Sequence, residues 1–315
     1  MTRARSLVEA ALLTGLSVML YIGGAIPVLG MLLILLSPVP LVVLEMRHDL
    51  RTGLVALIVG SLLAAMLQGP ITALSYTFGF ALLGLALGRI IEMRRSAVEI
   101  LAWGSLVSLL CKLALAVIMF YVTGVNIINM DMPAAEKMMD MLLKLPGSAE
   151  KVSEVKAMVD TVLQIMPLVI PSIFIMISVV DSYLCFWISG KVIRRLSGIQ
   201  IPSLPPFNTW RFPASVLLAY LAALVCLIVA SKYPDRYAFL TRVGLNLELL
   251  VHYLFILQGM ALAAWWMDRK NMGRIFRNVI LVMLFLIPML SLLTTYAGMI
   301  DMCWNLRVRF GGDRR

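Results

Sequence analysis

Four polar side chains interrupt an apolar stretch, residues 243–267, that is long enough to cross a bilayer. They are Asn246, Glu248, His252 and Gln258. A polar or ionisable group in hydrocarbon is costly, so each one needs a partner or marks a solute or proton pathway. Glu248 and His252 are separated by one helical turn, so they share a face and can pair directly.

Two further charged residues lie inside other apolar stretches. Lys112 lies within residues 97–122, and Asp181 lies within residues 161–188. Counting about 1.5 Å of rise per residue places Lys112 ~22 Å and Asp181 ~13 Å from the inner side. Glu248 lies ~8 Å and His252 ~13 Å from the outer end of their helix. In a core of ~30 Å, this count predicts an outer cluster of Lys112, Glu248 and His252, and an inner level that Asp181 shares with Gln258.

Two interpretations of the outer cluster stay open. In the first, its three side chains neutralise each other and fasten the front and back halves of the chain together. In the second, they line an outward-facing cavity that binds a small-molecule solute or relays a proton. The candidates for a ligand site or a charge clasp are therefore Lys112, Asp181, Asn246, Glu248, His252 and Gln258.

The elements that must position these residues are transmembrane helices. The 315 residues are 61% hydrophobic and 14% charged, whereas soluble domains are about 45–50% apolar and about 25% charged. The predicted fold class is all-α: a polytopic integral membrane helix bundle of about nine transmembrane helices in contact with the lipid bilayer. The predicted spans are residues 6–26, 29–44, 52–67, 71–91, 97–122, 161–188, 214–230, 243–267 and 279–300.

Basic residues predict the orientation. The turns after the first and third spans carry no Lys or Arg, so the positive-inside rule places the N-terminus on the cytoplasmic side of a cytoplasmic (inner) membrane. Nine complete spans would put the basic tail, residues 307–315, on the outside, against that rule. A re-entrant last span, a count of eight spans, or translocation of the short tail would each resolve the conflict, and we expect translocation.

A proline-rich connector, residues 196–213, divides the chain into two predicted domains. Residues 1–195 form a six-helix membrane bundle, and residues 214–315 form a three-helix bundle with a basic tail. The front bundle carries the one long outer loop, residues 124–160. Within that loop, residues 134–145 have an amphipathic pattern that suits a membrane interface or a cavity lid.

The end of the outer loop carries a helix-start signal. Ser148 is a candidate N-cap for a helix that continues into the sixth span.

Small residues at spacings of four occur on three predicted helices, where they favour close helix packing. They are Ala11 and Gly15 on the first, Ala56, Gly60 and Ala64 on the third, and Gly84 and Gly88 on the fourth. Packing within the chain is the default expectation. Docking of a coupling membrane protein, or of a second copy in a homo-oligomer, is the alternative, and Ala11 and Gly15 are its best candidates.

Several classes of function have no support in the sequence. It has no Gly-rich phosphate loop, no HExxH, no GxSxG and no His/Cys metal cluster, so we predict neither an enzyme nor a cofactor or metal. The net charge of +10 comes from short loops between apolar runs, which predicts no nucleic-acid partner.

Three motifs carry a family resemblance: PPFNTWRFP at residues 205–213, Asn246 with LQGM at residues 257–260, and YAGMID at residues 296–301 followed by WNLR. Together with the length and span pattern, they resemble the YybS-like family of bacterial membrane proteins, whose function is unknown. The resemblance covers essentially the whole chain. Asn305 and Leu306 depart from an expected Asp-Phe-Arg-like ending.

The front half is also similar to the substrate-binding subunits of energy-coupling-factor vitamin transporters. That resemblance rests on the span number and the first helix. It implies a six-helix bundle that binds a small solute near the outer face and docks a partner through its first helix. Ala11 and Gly15 would then dock the partner, and Lys112 would face the cavity.

These observations lead to two function hypotheses. The leading one is a solute-binding or transport-related membrane protein of the YybS-like type with an outward-facing polar cavity. The alternative is a non-transporting scaffold or accessory factor in cell-envelope processes, in which the buried charges act as structural clasps.

Overall fold

Every regular element that the structure describes is a helix, as the composition predicts. The computed structural model describes residues 3–27, 29–93, 95–124, 149–233 and 236–310. Within these ranges the chain forms two compact units. Unit 1 comprises residues 3–124 and Ile173–Leu204, and unit 2 comprises residues 149–172 and 205–310.

The described part of unit 1 contains seven helices and the end of an eighth. They are α1 (Arg3–Ile22), α2 (Gly30–Leu36), α3 (Val39–Arg47), α4 (Leu50–Gln68), α5 (Pro70–Tyr76), α6 (Leu82–Glu92), α7 (Ala97–Thr123) and the second part of α8 (Ala149–Ser197). A 3-10 turn, Gly23–Ala25, follows α1, and a π-helical segment, Thr77–Ala81, joins α5 to α6.

Unit 2 receives the first part of α8 and the helices after the connector. They are α9 (Ser215–Lys232), α10 (Ala238–Arg269), α11 (Arg274–Leu286), α12 (Pro288–Trp304) and α13 (Leu306–Phe310). A 3-10 turn, Phe207–Thr209, precedes α9. Helix α10 contains Asn246, Glu248, His252 and Gln258, the four polar residues of the apolar stretch 243–267.

Two apolar clusters form the core of unit 1. One of them joins α3, α6, α7 and α8 through the fully buried side chains of Val42, Leu87, Ile100 and Cys185. The other surrounds Tyr76, whose hydroxyl lies 2.9 Å from Ser17 Oγ. Ser17 Oγ also donates to the Ser37 carbonyl at 2.6 Å, so the hydroxyls of Tyr76 and Ser17 are both paired within this apolar cluster.

The described ranges contain eight helices or helix runs that are long and apolar enough to cross a membrane, which confirms eight predicted spans. Their bounds are Ser6–Ala25, Gly30–Arg47, Leu50–Gln68, Pro70–Glu92, Ala97–Thr123, Gln164–Leu196, Ser215–Lys232 and Ala238–Arg269. The ninth candidate is the pair α11 and α12, which is bent by 98°.

The outer loop is described only at its end. The predicted amphipathic helix, residues 134–145, and the candidate cap Ser148 lie outside the described residues. From Ala149 onward the chain is helical without a break into the sixth span, as predicted.

Candidate functional site

A buried polar network joins three side chains at the centre of unit 2. Gln258 on α10 is 1% exposed, Asp301 on α12 is 0% exposed, and Arg307 on α13 is 8% exposed. The Gln258 amide Nε2 donates to Asp301 Oδ2 at 2.5 Å, and Arg307 Nε lies 3.3 Å from the same oxygen. Gln258 Oε1 accepts the Phe212 backbone N–H at 3.0 Å. The Asp301 carboxylate therefore links α10, α12 and α13, and the Gln258 amide links them to the proline-rich connector through Phe212.

The network keeps unused hydrogen-bonding capacity. Asp301 Oδ1, Arg307 Nη2 and Asn305 Oδ1 are buried and have no hydrogen-bond partner among the described residues. Burial lowers the pKa of the Arg307 guanidinium, and the Asp301 carboxylate opposes that shift. Arginine still stays charged at neutral pH because its ordinary pKa lies far above 7.

The network continues to the end of α10. Arg307 Nη1 donates to the Asn208 carbonyl at 2.7 Å, and Asn208 Nδ2 donates to Asp268 Oδ2 at 2.7 Å. Arg277, near the start of α11, pairs with Asp268 Oδ1 at 2.5 Å. Arg269 donates to the Phe310 carbonyl. The connector, the end of α10, the start of α11 and the end of α13 therefore meet at one end of unit 2.

This meeting point bears on the path of the last helices. Helix α11 has 13 residues, about 20 Å of length, which is too short to cross a hydrocarbon core of ~30 Å. The chain then bends by 98° into α12, and such a pair forms either one broken span or a re-entrant loop. Because Arg269 donates to the Phe310 carbonyl, α13 ends at the same end of unit 2 as α10. This contact favours the re-entrant alternative, and the side on which the tail lies stays a prediction.

Two glycines let α10 and α12 cross in close contact. A Cβ on Gly259 would lie 2.0 Å from the Thr294 carbonyl oxygen, and one on Gly298 would lie 2.1 Å from the Phe255 carbonyl oxygen. Both contacts are with backbone, so no side-chain rotation would relieve them. Small residues allow such approach between membrane helices, and here they bring Gln258 within reach of Asp301.

Helices α10, α11, α12 and α13 line a cavity of about 950 Å³. Most of its wall is apolar, and Arg269 and Lys270 line one end beside Trp265 and Trp266. The remaining wall comes from Gly259, Leu262, Ala263, Leu284, Leu293, Thr294, Ala297, Leu306 and Phe310. Among the described residues that line it, none belongs to the six that the sequence singled out.

Lys112 has a partner that the depth count did not predict. Its ammonium lies 2.7 Å from Asp181 Oδ2 and donates to Ser108 Oγ at 2.5 Å. The depths counted from the helical rise placed Lys112 and Asp181 ~9 Å apart along the membrane normal, and that prediction is wrong for this pair. A helical side chain leans toward the N-terminus of its helix, and the lysine reaches back by one turn to Ser108. The pair lies within unit 1, with side chains 14% and 8% exposed.

Glu248 and His252 do not pair with each other. Both are half-buried on α10, and within the described ranges Glu248 has no hydrogen bond or ion pair, while the His252 ring contacts the Tyr253 ring at 6.1 Å. The direct pair that their spacing allows is therefore not formed. Their shared cluster with Lys112 would combine residues of both units and stays a prediction.

Asn246 bonds to the backbone of a proline-containing stretch of α8. Two prolines, Pro167 and Pro171, lie inside that helix, and proline disturbs the hydrogen bonds of the preceding turn. Asn246 Nδ2 donates to the Leu168 carbonyl at 2.7 Å, and its Oδ1 accepts the Ser172 N–H at 2.9 Å. The amide thus bridges a donor and an acceptor that would pair directly in a regular helix.

The predicted docking residues remain accessible. Ala11 is exposed, and outside its own helix no described atom lies within 4 Å of a Cβ placed on Gly15. On the fourth span, by contrast, a Cβ on Gly84 would lie 2.6 Å from the Pro38 carbonyl oxygen. The fourth-span glycine serves packing within unit 1, whereas docking through Ala11 and Gly15 stays a prediction.

The sequence interpretation missed Asp301, Arg307 and Glu45 as buried charges. Asp301 follows the predicted last span by one residue, so it was counted as outside the membrane. Glu45 follows the predicted second span in the same way, yet it is 1% exposed, and neither carboxylate oxygen has a partner among the described residues. The described ranges contain no group of three His, Cys, Asp or Glu side chains that could hold a metal.

The helices and the buried polar network define a class: an all-helical, multi-pass membrane protein with a sharply bent helix pair, α11 and α12, near the end of the described residues. A profile of the family described as "Predicted membrane protein (DUF2232)" matches residues 14–302. The chain belongs to this family.

The chain is also similar to a curated bacterial protein, the uncharacterized protein YybS of Bacillus subtilis (strain 168). The two are 26% identical over 312 residues, which cover 98% of this chain and 99% of that protein. The YybS-like resemblance predicted from the three motifs is confirmed. No solved structure matches the chain.

Proposed function

We propose that this protein is a non-enzymatic, transport-related membrane protein that binds a solute in the cavity of unit 2. The observation that carries the proposal is the bent pair, α11 and α12, which lines a cavity of about 950 Å³ beside α10. That volume is near the upper end of the range for small-molecule sites, about 300–1,000 Å³.

The break between α11 and α12 supports this proposal. Ile287 has an extended backbone (φ −87°, ψ 116°) between two apolar helices. Irregular backbone at membrane depth is tolerated where it is buried in protein or lines a cavity. Interrupted hydrophobic helices also form the binding sites of many secondary transporters. The break at Ile287 is therefore a reason to place the solute between α11 and α12.

The proposed site opens toward Arg269 and Lys270, a side that the positive-inside rule assigns to the cytoplasm. The outward-facing cavity predicted around Lys112, Glu248 and His252 is a different place, and it stays a prediction. Both fit a transport-related protein, in which access alternates between the two sides of a membrane.

The test is a thermal-shift screen of the purified protein against metabolites, vitamins and lipids. Ala297→Phe fills the cavity from its α12 wall, and Ala222→Phe adds the same side chain at an exposed position on α9. A ligand at 100 times its Kd stabilises by about 2.7 kcal/mol. We expect at least one ligand that stabilises the wild type and Ala222→Phe but not Ala297→Phe. Equal responses of both variants, or no stabilising ligand, would refute the proposal.

The scaffold function is the second candidate, and the Lys112–Asp181 pair is the observation in its favour. Two opposite charges in direct contact at 2.7 Å form a clasp and leave no space between them for a solute. A scaffold would purify as a homo-oligomer or with envelope proteins and would bind no ligand. Copurification with an ATPase and a coupling membrane protein would favour transport instead.

A further inference from the structure

We infer that the ligand of the unit 2 cavity is an anionic phospholipid, with its head group at Arg269 and Lys270 and its acyl chains in the apolar part. The inference rests on the proposed function, since it names the chemistry of the ligand in the same cavity. Three features of the cavity wall lead to it.

The interior of the cavity offers almost no hydrogen bonds to a ligand. Leu262, Leu284 and Leu293 line it from three different helices. Thr294 contributes a hydroxyl, but that hydroxyl already donates to the Leu290 carbonyl at 2.7 Å. A polar solute would lose its hydration there without compensation. The occupant of the interior is therefore a hydrocarbon group.

The open end of the cavity carries two positive charges. Arg269 and Lys270 are both exposed, and no acidic side chain forms an ion pair with either of them in the part of the chain that the structure describes. The neighbouring Asp268 is engaged by Asn208 and Arg277 instead. An anionic group at this end would therefore meet a net positive charge.

Two tryptophans mark the depth of this charged end. The Arg269 guanidinium lies 5.6 Å from the centre of the Trp265 ring, and the Lys270 ammonium lies 5.6 Å from the centre of the Trp266 ring. Tryptophan is enriched at the level of the lipid head groups. Basic pockets between transmembrane helices on the cytoplasmic side suit anionic lipid head groups. The charged end thus lies where a lipid phosphate is found, directly beside an apolar space for its chains.

The test uses the delipidated protein and native mass spectrometry. Dioleoyl phosphatidylglycerol is compared with dioleoyl phosphatidylcholine, which has the same chains but no net charge, and inorganic phosphate serves as the soluble anion. The variant is Arg269→Gln/Lys270→Gln. Its matched control is Lys232→Gln/Arg236→Gln, an exposed basic pair at the opposite end of α9 and α10.

We expect the wild type and the control to prefer phosphatidylglycerol, and the cavity variant to bind it about 30-fold more weakly. Because Arg269 also holds the Phe310 carbonyl, Lys270→Gln is measured alone as a second variant, with an expected loss of about 5-fold. An unchanged preference in both variants overturns the inference.

Filling the cavity separates the inference from the proposed function. If Ala297→Phe abolishes phosphatidylglycerol binding, both stand. If it abolishes only the binding of inorganic phosphate or of another soluble solute, the proposed function stands and the lipid inference falls. If it changes no binding, both fall.

Discussion

The closest helix contact in unit 2 gives the sharpest prediction: Gly259→Ala will destabilise the protein more than an alanine at an uncrowded glycine. The new Cβ would lie 2.0 Å from the Thr294 carbonyl oxygen, whereas even weak carbon–oxygen contacts need about 3.3 Å. Helices α10 and α12 must therefore separate by ~1.3 Å. Such overpacking costs about 1–3 kcal/mol.

The separation would also act on the buried polar network. Gln258 precedes the glycine, and its 2.5 Å hydrogen bond to Asp301 would stretch beyond hydrogen-bonding range. Leaving a buried polar group unpaired costs about 1–3 kcal/mol, and replacing glycine with alanine in a helix returns about 1 kcal/mol. The net loss in the free energy of unfolding is about 3 kcal/mol.

The assay is reversible unfolding of the purified protein in mixed detergent micelles with increasing SDS, followed by tryptophan fluorescence. Gly190→Ala on α8 is the matched control, because no described atom outside its own helix lies within 4 Å of its added Cβ. It should leave the stability unchanged or raise it by up to about 1 kcal/mol. If Gly259→Ala costs no more than this control, the close crossing of α10 and α12 does not exist.

Three further predictions follow from the charges and the path of the chain. Lys112→Met leaves Asp181 buried without a partner and should lower the free energy of unfolding by about 3 kcal/mol in the same assay. Lys112→Met/Asp181→Leu should recover most of that loss. A double variant as unstable as the single one would contradict a simple charge clasp. Asp301→Asn removes the charge that α10, α12 and α13 share, and it should also lower the free energy of unfolding by about 3 kcal/mol. An unchanged free energy in SDS unfolding would exclude the Gln258–Asp301–Arg307 network from the folded core. In a cysteine-free background, Gly273→Cys and Val308→Cys should react with a membrane-impermeant maleimide from the same side of the membrane, and labelling from opposite sides would refute the re-entrant path.

The helical content and eight spans were predictable because each span is a continuous apolar run. The 98° bend between α11 and α12 was not, although the predicted last span contains Pro288, at which α12 begins. A proline in an apolar run signals a break or a kink, but the hydropathy of the run does not show which of the two occurs. A re-entrant last span was one of the alternatives that the basic tail raised, and the contact of Arg269 with Phe310 favours it.

The partners of the buried charges were the least predictable feature of the site. Gln258 stood out because it is polar within an apolar helix, but Asp301 did not, since it lies one residue beyond the predicted span. Lys112 was assigned to the wrong level because the count followed backbone positions, whereas the ammonium group lies at the end of a long side chain that reaches back to Ser108. Pairing between helices depends on their rotation and on side-chain direction, and neither follows from depth alone.

The amide of Asn246 has a consequence for motion. It is inserted between the Leu168 carbonyl and the Ser172 N–H of α8, so the backbone bonding of α8 depends on how α10 is rotated about its own axis. A rotation of α10 by one residue position, about 100°, would withdraw the amide and leave both groups unpaired, each at about 1–3 kcal/mol. The hydrogen bonding of α8 at this point is therefore coupled to the rotation of α10, and such a rotation during a binding cycle would break the amide bridge between Leu168 and Ser172.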